Sequence, residues 1–218
     1  MINIKKLSKT LSAFAISAFV VFSLFYVLEP TVSKAVTDDV LVNQTVTTGI
    51  SISSPSDINL TALSTSANSA VGSATWTVTT NSAGGYTLTL YAGAAPAMVR
   101  SGGGGNIADY TPAVAETPET WSTSASTVEF GFSAYGTDVP TGTWGTDSDC
   151  IAAADVPSAG LKWRDFDLSG SADQIASAAS QTSTSGTAST MCVASEQDTI
   201  FAASGSYTAT ITATATAQ

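Results

Sequence analysis

The chain has 218 residues, with seventeen acids, seven lysines or arginines and no histidine, for a net charge of −10. Beyond residue 35 only Arg100, Lys162 and Arg164 face sixteen acids, about −13 with the acids ionised. That balance excludes a phosphate-binding face and nucleic acid as partner, and it opposes anionic membrane surfaces. The missing histidine excludes Ser-His-Asp and Cys-His catalysis.

Residues 1–35 read as a secretory signal. Lys5, Lys6 and Lys9 precede an uncharged run, Leu11–Leu28 (LSAFAISAFVVFSLFYVL), and Pro30 and the small residues of SKA follow. This layout predicts cleavage after Ala35. The run also has the minimum length of a membrane span, so an uncleaved anchor through residues 11–28 is the alternative. Residues 36–218 then form a single domain, secreted or displayed at the cell surface.

The next segment, VLVNQTVTTGISISS, puts Val40, Val42, Val46, Ile50 and Ile52 on one parity and polar residues on the other. This alternation predicts a strand, or two joined near Gly49. SPSD is a turn and INLTAL a short strand candidate. In ATWTVTTNSAGGYTLTLYA, Trp76 and Val78 alternate with threonines, and so do Tyr86, Leu88 and Leu90 across a short Gly-containing loop. The pattern predicts a β-hairpin. Residues 93–124 are a long irregular loop. Its GGGG lacks the Lys-Ser/Thr of a phosphate loop and reads as a flexible segment.

TVEFGFSAYG returns to strand with Val128, Phe130 and Phe132 on one face, and residues 137–160 form a second loop. LKWRDFDLSG is a short strand or turn. SADQIASAASQTSTSGTAS has room for one helical turn. TMCVASEQDTI is a strand, and GSYTATITATATAQ closes the chain as a long one, with Tyr207, Ala209, Ile211, Ala213 and Ala215 on one face. Seven to ten short strands with Gly/Pro-rich connections predict an all-β fold: an antiparallel β-sandwich of Ig-like or jelly-roll-like form, with a closed barrel as the competing architecture.

Cys150 and Cys192 are expected to pair in an oxidising compartment. Asp147, Asp149, Asp165 and Asp167, in DSD and DFD, are candidate Ca²⁺ ligands, although neither run matches a twelve-residue calcium loop. No metal or other cofactor is expected. Lys162 has no serine motif around it, and no acid pair is singled out for hydrolysis, so the chain reads as a non-enzyme. Trp121, Trp144 and Tyr110 lie in loops and are candidates for ligand contact by stacking.

In ATWTVTTNSAGGYTLTLYA, FGFSAYG, KWRDFD and GSYTATITATATA, the chain resembles uncharacterised small secreted β-sandwich surface proteins of Patescibacteria-like bacteria. Its Trp76-Thr77-Val78 strand is more distantly similar to the WxL surface domains, which attach non-covalently to cell walls; this chain has Val where they have Leu. The resemblance implies a surface β-sandwich. Together these features predict an exported structural or adhesive protein. It would self-associate as a pilus-like filament by adding a terminal strand (Val40–Ile52 or Tyr207–Ala215) to a neighbour's sheet. The alternative is a carbohydrate-binding module using the loop tryptophans. Partners are therefore other copies, or cell-surface glycans and proteins.

Overall fold

The computed structural model describes residues 4–27, 36–124 and 126–218, the side chains of 4–11 and 25–27 excepted. The chain divides into two units, residues 1–45 and 46–218. In the first, helix α1 (Ile4–Val27) covers most of the apolar run. Among the described residues no helix is long and apolar enough to cross a membrane. The expected cleavage point at Ala35 lies outside the described residues.

The second unit contains β1 (Ile50–Ile52), β2 (Ser69–Thr80), β3 (Tyr86–Ala92), β4 (Val99–Arg100), β5 (Ala108–Asp109) and β6 (Val128–Gly136). A single turn of helix, α2 (Thr141–Trp144), follows. Then come β7 (Ile151–Ala153), β8 (Val156–Pro157), β9 (Asp173–Ala178), β10 (Thr187–Gln197), β11 (Tyr207–Thr208) and β12 (Ile211–Ala217). One sheet has the order β1-β2-β10-β6-β5 and a second β12-β3-β9; β11-β4 and β7-β8 are two-stranded ribbons. Among the described residues the named strands pair antiparallel except β5 with β6.

The two larger sheets face each other across one core. Ala74, Trp76 and Val78 from β2, Phe130 and Phe132 from β6, and Met191 and Val193 from β10 meet Leu88 and Leu90 from β3 and Ile175 from β9. The fold is thus an all-β antiparallel sandwich. Alternation along each strand puts one parity into this core, as the sequence pattern requires.

The expected hairpin is instead an arch. β2 pairs with β1 and β10, while β3 pairs with β12 and β9, so the loop 81–85 carries the chain from one sheet to the other. Trp76 and Val78 therefore face Tyr86 and Leu88 through the core rather than lying beside them. Gly85 is required at this corner: its φ is +80°, and a Cβ there would lie 2.0 Å from the carbonyl oxygen of Ala178.

Three further expectations change. Residues 173–178 form strand β9, not a helical turn, because Ile175 is drawn into the core. INLTAL is not a strand; Ile58 and Leu60 pack against the core from an irregular segment. The final strand is broken at Ala209 and Thr210, where β11 pairs with β4 and β12 with β3.

The central strands β6 and β10 are buried on both faces. A second cluster, Val71, Tyr110, Cys150, Leu161, Trp163, Cys192 and Ala194, lies on the side of the five-stranded sheet away from the main core. The loop 137–160 supplies part of this outer layer, and the disulfide between Cys150 and Cys192 ties it to β10, with Cα atoms 5.4 Å apart.

Candidate functional site

The segment Leu161–Leu168, containing KWRDFD, is a strap across the edge of the sandwich. Leu161 and Trp163 enter the outer cluster, whereas Phe166 enters the main core and stacks 4.2 Å from Phe132. Between them the backbone of Arg164 pairs with Phe132 on β6, its N–H donating at 2.9 Å and its carbonyl accepting at 2.8 Å. Gly131 makes that approach possible, since a Cβ would lie 2.7 Å from the Arg164 carbonyl oxygen and from Tyr110. Farther along, the carbonyl of Asp167 accepts from the Ala92 N–H at 2.8 Å, which joins the strap to β3.

Arg164 is buried at the centre of four carboxylates. Its Nη1 lies 2.6 Å from Asp173 Oδ1, its Nη2 contacts Asp167 Oδ2 at 2.9 Å and Glu116 Oε2, and its Nε lies 3.6 Å from Asp165 Oδ1. Glu116 and Asp173 were not legible as members of this group. One sits in an irregular loop and the other on β9, and only the strap brings them to Arg164.

Burial pushes the Asp173 carboxyl up to about 7; the pull of Arg164 is outweighed by that burial, and the neighbouring Asp167 and Asp165 add to it. Burial likewise raises Asp167, with Glu116 and Asp165 adding repulsion, and it raises Asp109 and Glu129. The folded state therefore holds protons that the unfolded chain has released. Stability is expected to be greatest near pH 4 and to fall as pH rises through about 7, then to level off. A thermal melt series from pH 4 to pH 9 checks the sign. Asp173→Asn, which mimics the protonated acid, should flatten that slope; an unchanged slope would place the protons elsewhere.

Glu116, Asp165 and Asp167 have carboxylate oxygens within 4.8 Å of one another, the arrangement with which acids hold a divalent cation. Arg164 already supplies positive charge there. Asp165 and Asp167, two of the Ca²⁺ candidates, thus share one cluster. Asp147 and Asp149 do not join it: Asp147 accepts a hydrogen bond from the Ser158 hydroxyl, and Asp149 Oδ1 accepts from the Ile151 N–H at 3.1 Å.

The aromatic candidates for ligand contact are placed otherwise than the sequence suggested. Trp144 is 2 % exposed, on the single turn α2, with its ring 5.0 Å from Phe132. Tyr110 is 1 % exposed; it stacks on Trp121 at 4.6 Å and donates its hydroxyl to Glu119 Oε1 at 3.0 Å. Trp121 is half-buried, edge-on to Trp163 at 5.4 Å, and its Nε1–H donates to Glu196 Oε2 at 2.8 Å. These rings fill the layers of the fold instead of forming an open stacking platform. Loop position had suggested exposure, but both loops fold back over the sheet.

GGGG wraps a cation. Arg100 Nη1 donates to the carbonyls of Gly103 and Gly104, at 3.1 and 2.9 Å, and Nη2 donates to the Ser204 carbonyl. Its Nε is buried without a partner, and Arg100 makes no ion pair among the described residues.

Two features are open to another chain. Residues 36–49 belong to no strand, and Val40, Val42 and Val46 are 84 %, 84 % and 74 % exposed. Asn81 fixes the end of this segment, accepting from the Gly49 N–H at 2.6 Å and donating to the Thr47 carbonyl at 2.8 Å. The second feature is β12, which pairs with β3 on one side and, among the described residues, with no strand on the other. Comparison with family models, with curated proteins and with solved structures gives no match for this chain.

Proposed function

We propose that the protein is an exported, non-enzymatic β-sandwich that acts as a structural or adhesive component of a cell surface and assembles by strand addition between copies. The observation that carries this reading is the unpaired segment 36–49, whose alternating valines are more than 70 % exposed. An extended chain of that pattern gains little in water. Its backbone and its apolar face are both satisfied by lying against another sheet. The disulfide fits an oxidising compartment outside the cytoplasm, and the hydroxyl-rich, acidic composition keeps such a domain soluble between encounters. A carbohydrate-binding role loses support from the burial of Trp144 and Tyr110.

Electron microscopy and light scattering of the purified full chain test the reading. The wild-type chain should form elongated assemblies, and a chain lacking residues 36–48 should remain monomeric with an unchanged melting temperature. Assemblies that persist in the deletion would remove the N-terminal segment from the mechanism.

A further inference from the structure

We infer that the acceptor for this segment is the open edge of β12, with the cleft beside it, and that its occupant is the N-terminal segment of a second copy running parallel to β12. This rests on the strand-addition reading above and assigns its receiving site.

The backbone polarity of β12 is fixed by its neighbour. The Gly93 N–H donates to the Thr210 carbonyl at 2.9 Å, and the Gln218 N–H donates to the Gly85 carbonyl at 3.0 Å. Even-numbered residues therefore turn their polar groups to β3. By antiparallel geometry Ile211, Ala213 and Ala215 turn theirs to the free edge. Buried or half-buried N–H and C=O groups without partners are costly, and a strand laid along them would satisfy them in one step.

Next to the Ile211 end of this edge is a cleft of about 730 Å³ between the two sheets, lined by Trp76, Met191, Val193 and Ile211 and by Asp57 and Leu60. In a strand laid along this edge, Val40 beside Ile211 would turn its side chain toward the cleft and Val42 would follow on the same face beside Ala213, while Leu41 and Asn43 face out.

Charge selects the direction. The segment carries Asp38 and Asp39, and the domain as a whole is acidic. Arg100 lies opposite Tyr207, which lines the cleft, in the β11-β4 ribbon and has no carboxylate partner among the described residues. With Val40 beside Ile211 and Val42 beside Ala213, a parallel strand brings Asp38 and Asp39 back toward Arg100. The reverse orientation carries them away from it. β1 lies beside the other end of β12 without pairing to it, so the free edge is most open at the Ile211 end.

Single-cysteine variants of the full chain, mixed in pairs, test the placement, because only links between copies can then form. Under mild oxidation Val40→Cys mixed with Ile211→Cys should give at least ten-fold more cross-linked dimer than Val40→Cys mixed with Ala215→Cys. Preference for the second pair would overturn the parallel direction. Assemblies that form normally with neither link would overturn this acceptor and leave strand addition standing. Absence of any assembly by the wild-type chain would remove the strand-addition reading itself. A double variant, Val40→Cys with Ile211→Cys in one chain, that links only within monomers would overturn the second copy as occupant. Independently of how the variants fold, a synthetic peptide of residues 36–48 should block wild-type assembly, and the same peptide with Val40→Asp and Val42→Asp should not. Equal effects of the two peptides would overturn the role given to the valines.

Discussion

Arg164→Leu should lower the melting temperature by about 10 °C at pH 8 and by clearly less at pH 5. Removing one member of a buried ion pair leaves an uncompensated charge and costs about 3–5 kcal/mol. For a domain of this size each kcal/mol shifts the melting point by about 2–4 °C. The side chain of Arg164 is 7 % exposed and that of Asp173 only 5 %, so neither group recovers water when the other is lost. The pH dependence follows from the raised carboxyl of Asp173. At pH 8 it is ionised and needs the guanidinium, whereas at pH 5 it is protonated and needs it less. Glu116→Gln is the contrasting variant: its carboxylate is 63 % exposed, and its loss should cost under about 1 kcal/mol. A melt series over pH for both variants reads the result. Equal losses for Arg164→Leu at pH 5 and pH 8 would show that it acts by packing alone.

The parts of this fold that alternation describes were legible. Strand parity in the sequence puts Trp76, Val78, Leu88, Phe130 and Phe132 on shared faces, and these residues are in the core, because side-chain period and burial are the same fact seen twice. Pairing partners were not legible. A five-residue loop between two alternating runs serves a hairpin and an arch alike, and the difference lies in which strands arrive from far along the chain, here β10 and β12. The Arg164 centre was hidden for the same reason. Asp165 and Asp167 stood out as DFD, but their counterion role depends on Glu116 and Asp173, which the strap collects from other elements. The loop tryptophans misled because loop position is a statement about sequence, whereas exposure depends on whether the loop lies over a sheet face. The N-terminal alternation was read as one strand or two joined near Gly49; Ile50–Ile52 form β1 and pair with β2, whereas residues 36–49 belong to no strand, because alternation alone does not supply a neighbour.

Removing the disulfide should have the other large effect, and a localised one. Cys192 sits on the outward face of the central strand β10, and Cys150 lies in the loop that covers it, 42 residues away in sequence. A cross-link closing a loop of that length contributes about 3–4 kcal/mol by restricting the unfolded chain. A Cys150→Ser, Cys192→Ser double variant should therefore melt about 10 °C lower than the parent. The main core does not depend on this bond, since Trp76, Leu88 and Phe132 belong to a cluster on the other side of the sheet. Loosening should begin in the outer layer. Limited proteolysis should cut first between residues 145 and 160, where Ile151 and Val156 are already exposed, while β2, β6 and β10 stay protected. Assembly should survive below the new melting point, because residues 36–48 and the free edge of β12 lie outside that layer. Cleavage that begins in the central strands, or loss of assembly well below the melting point, would mean that the outer layer and the two-sheet core fold as one cooperative unit and that the disulfide supports both.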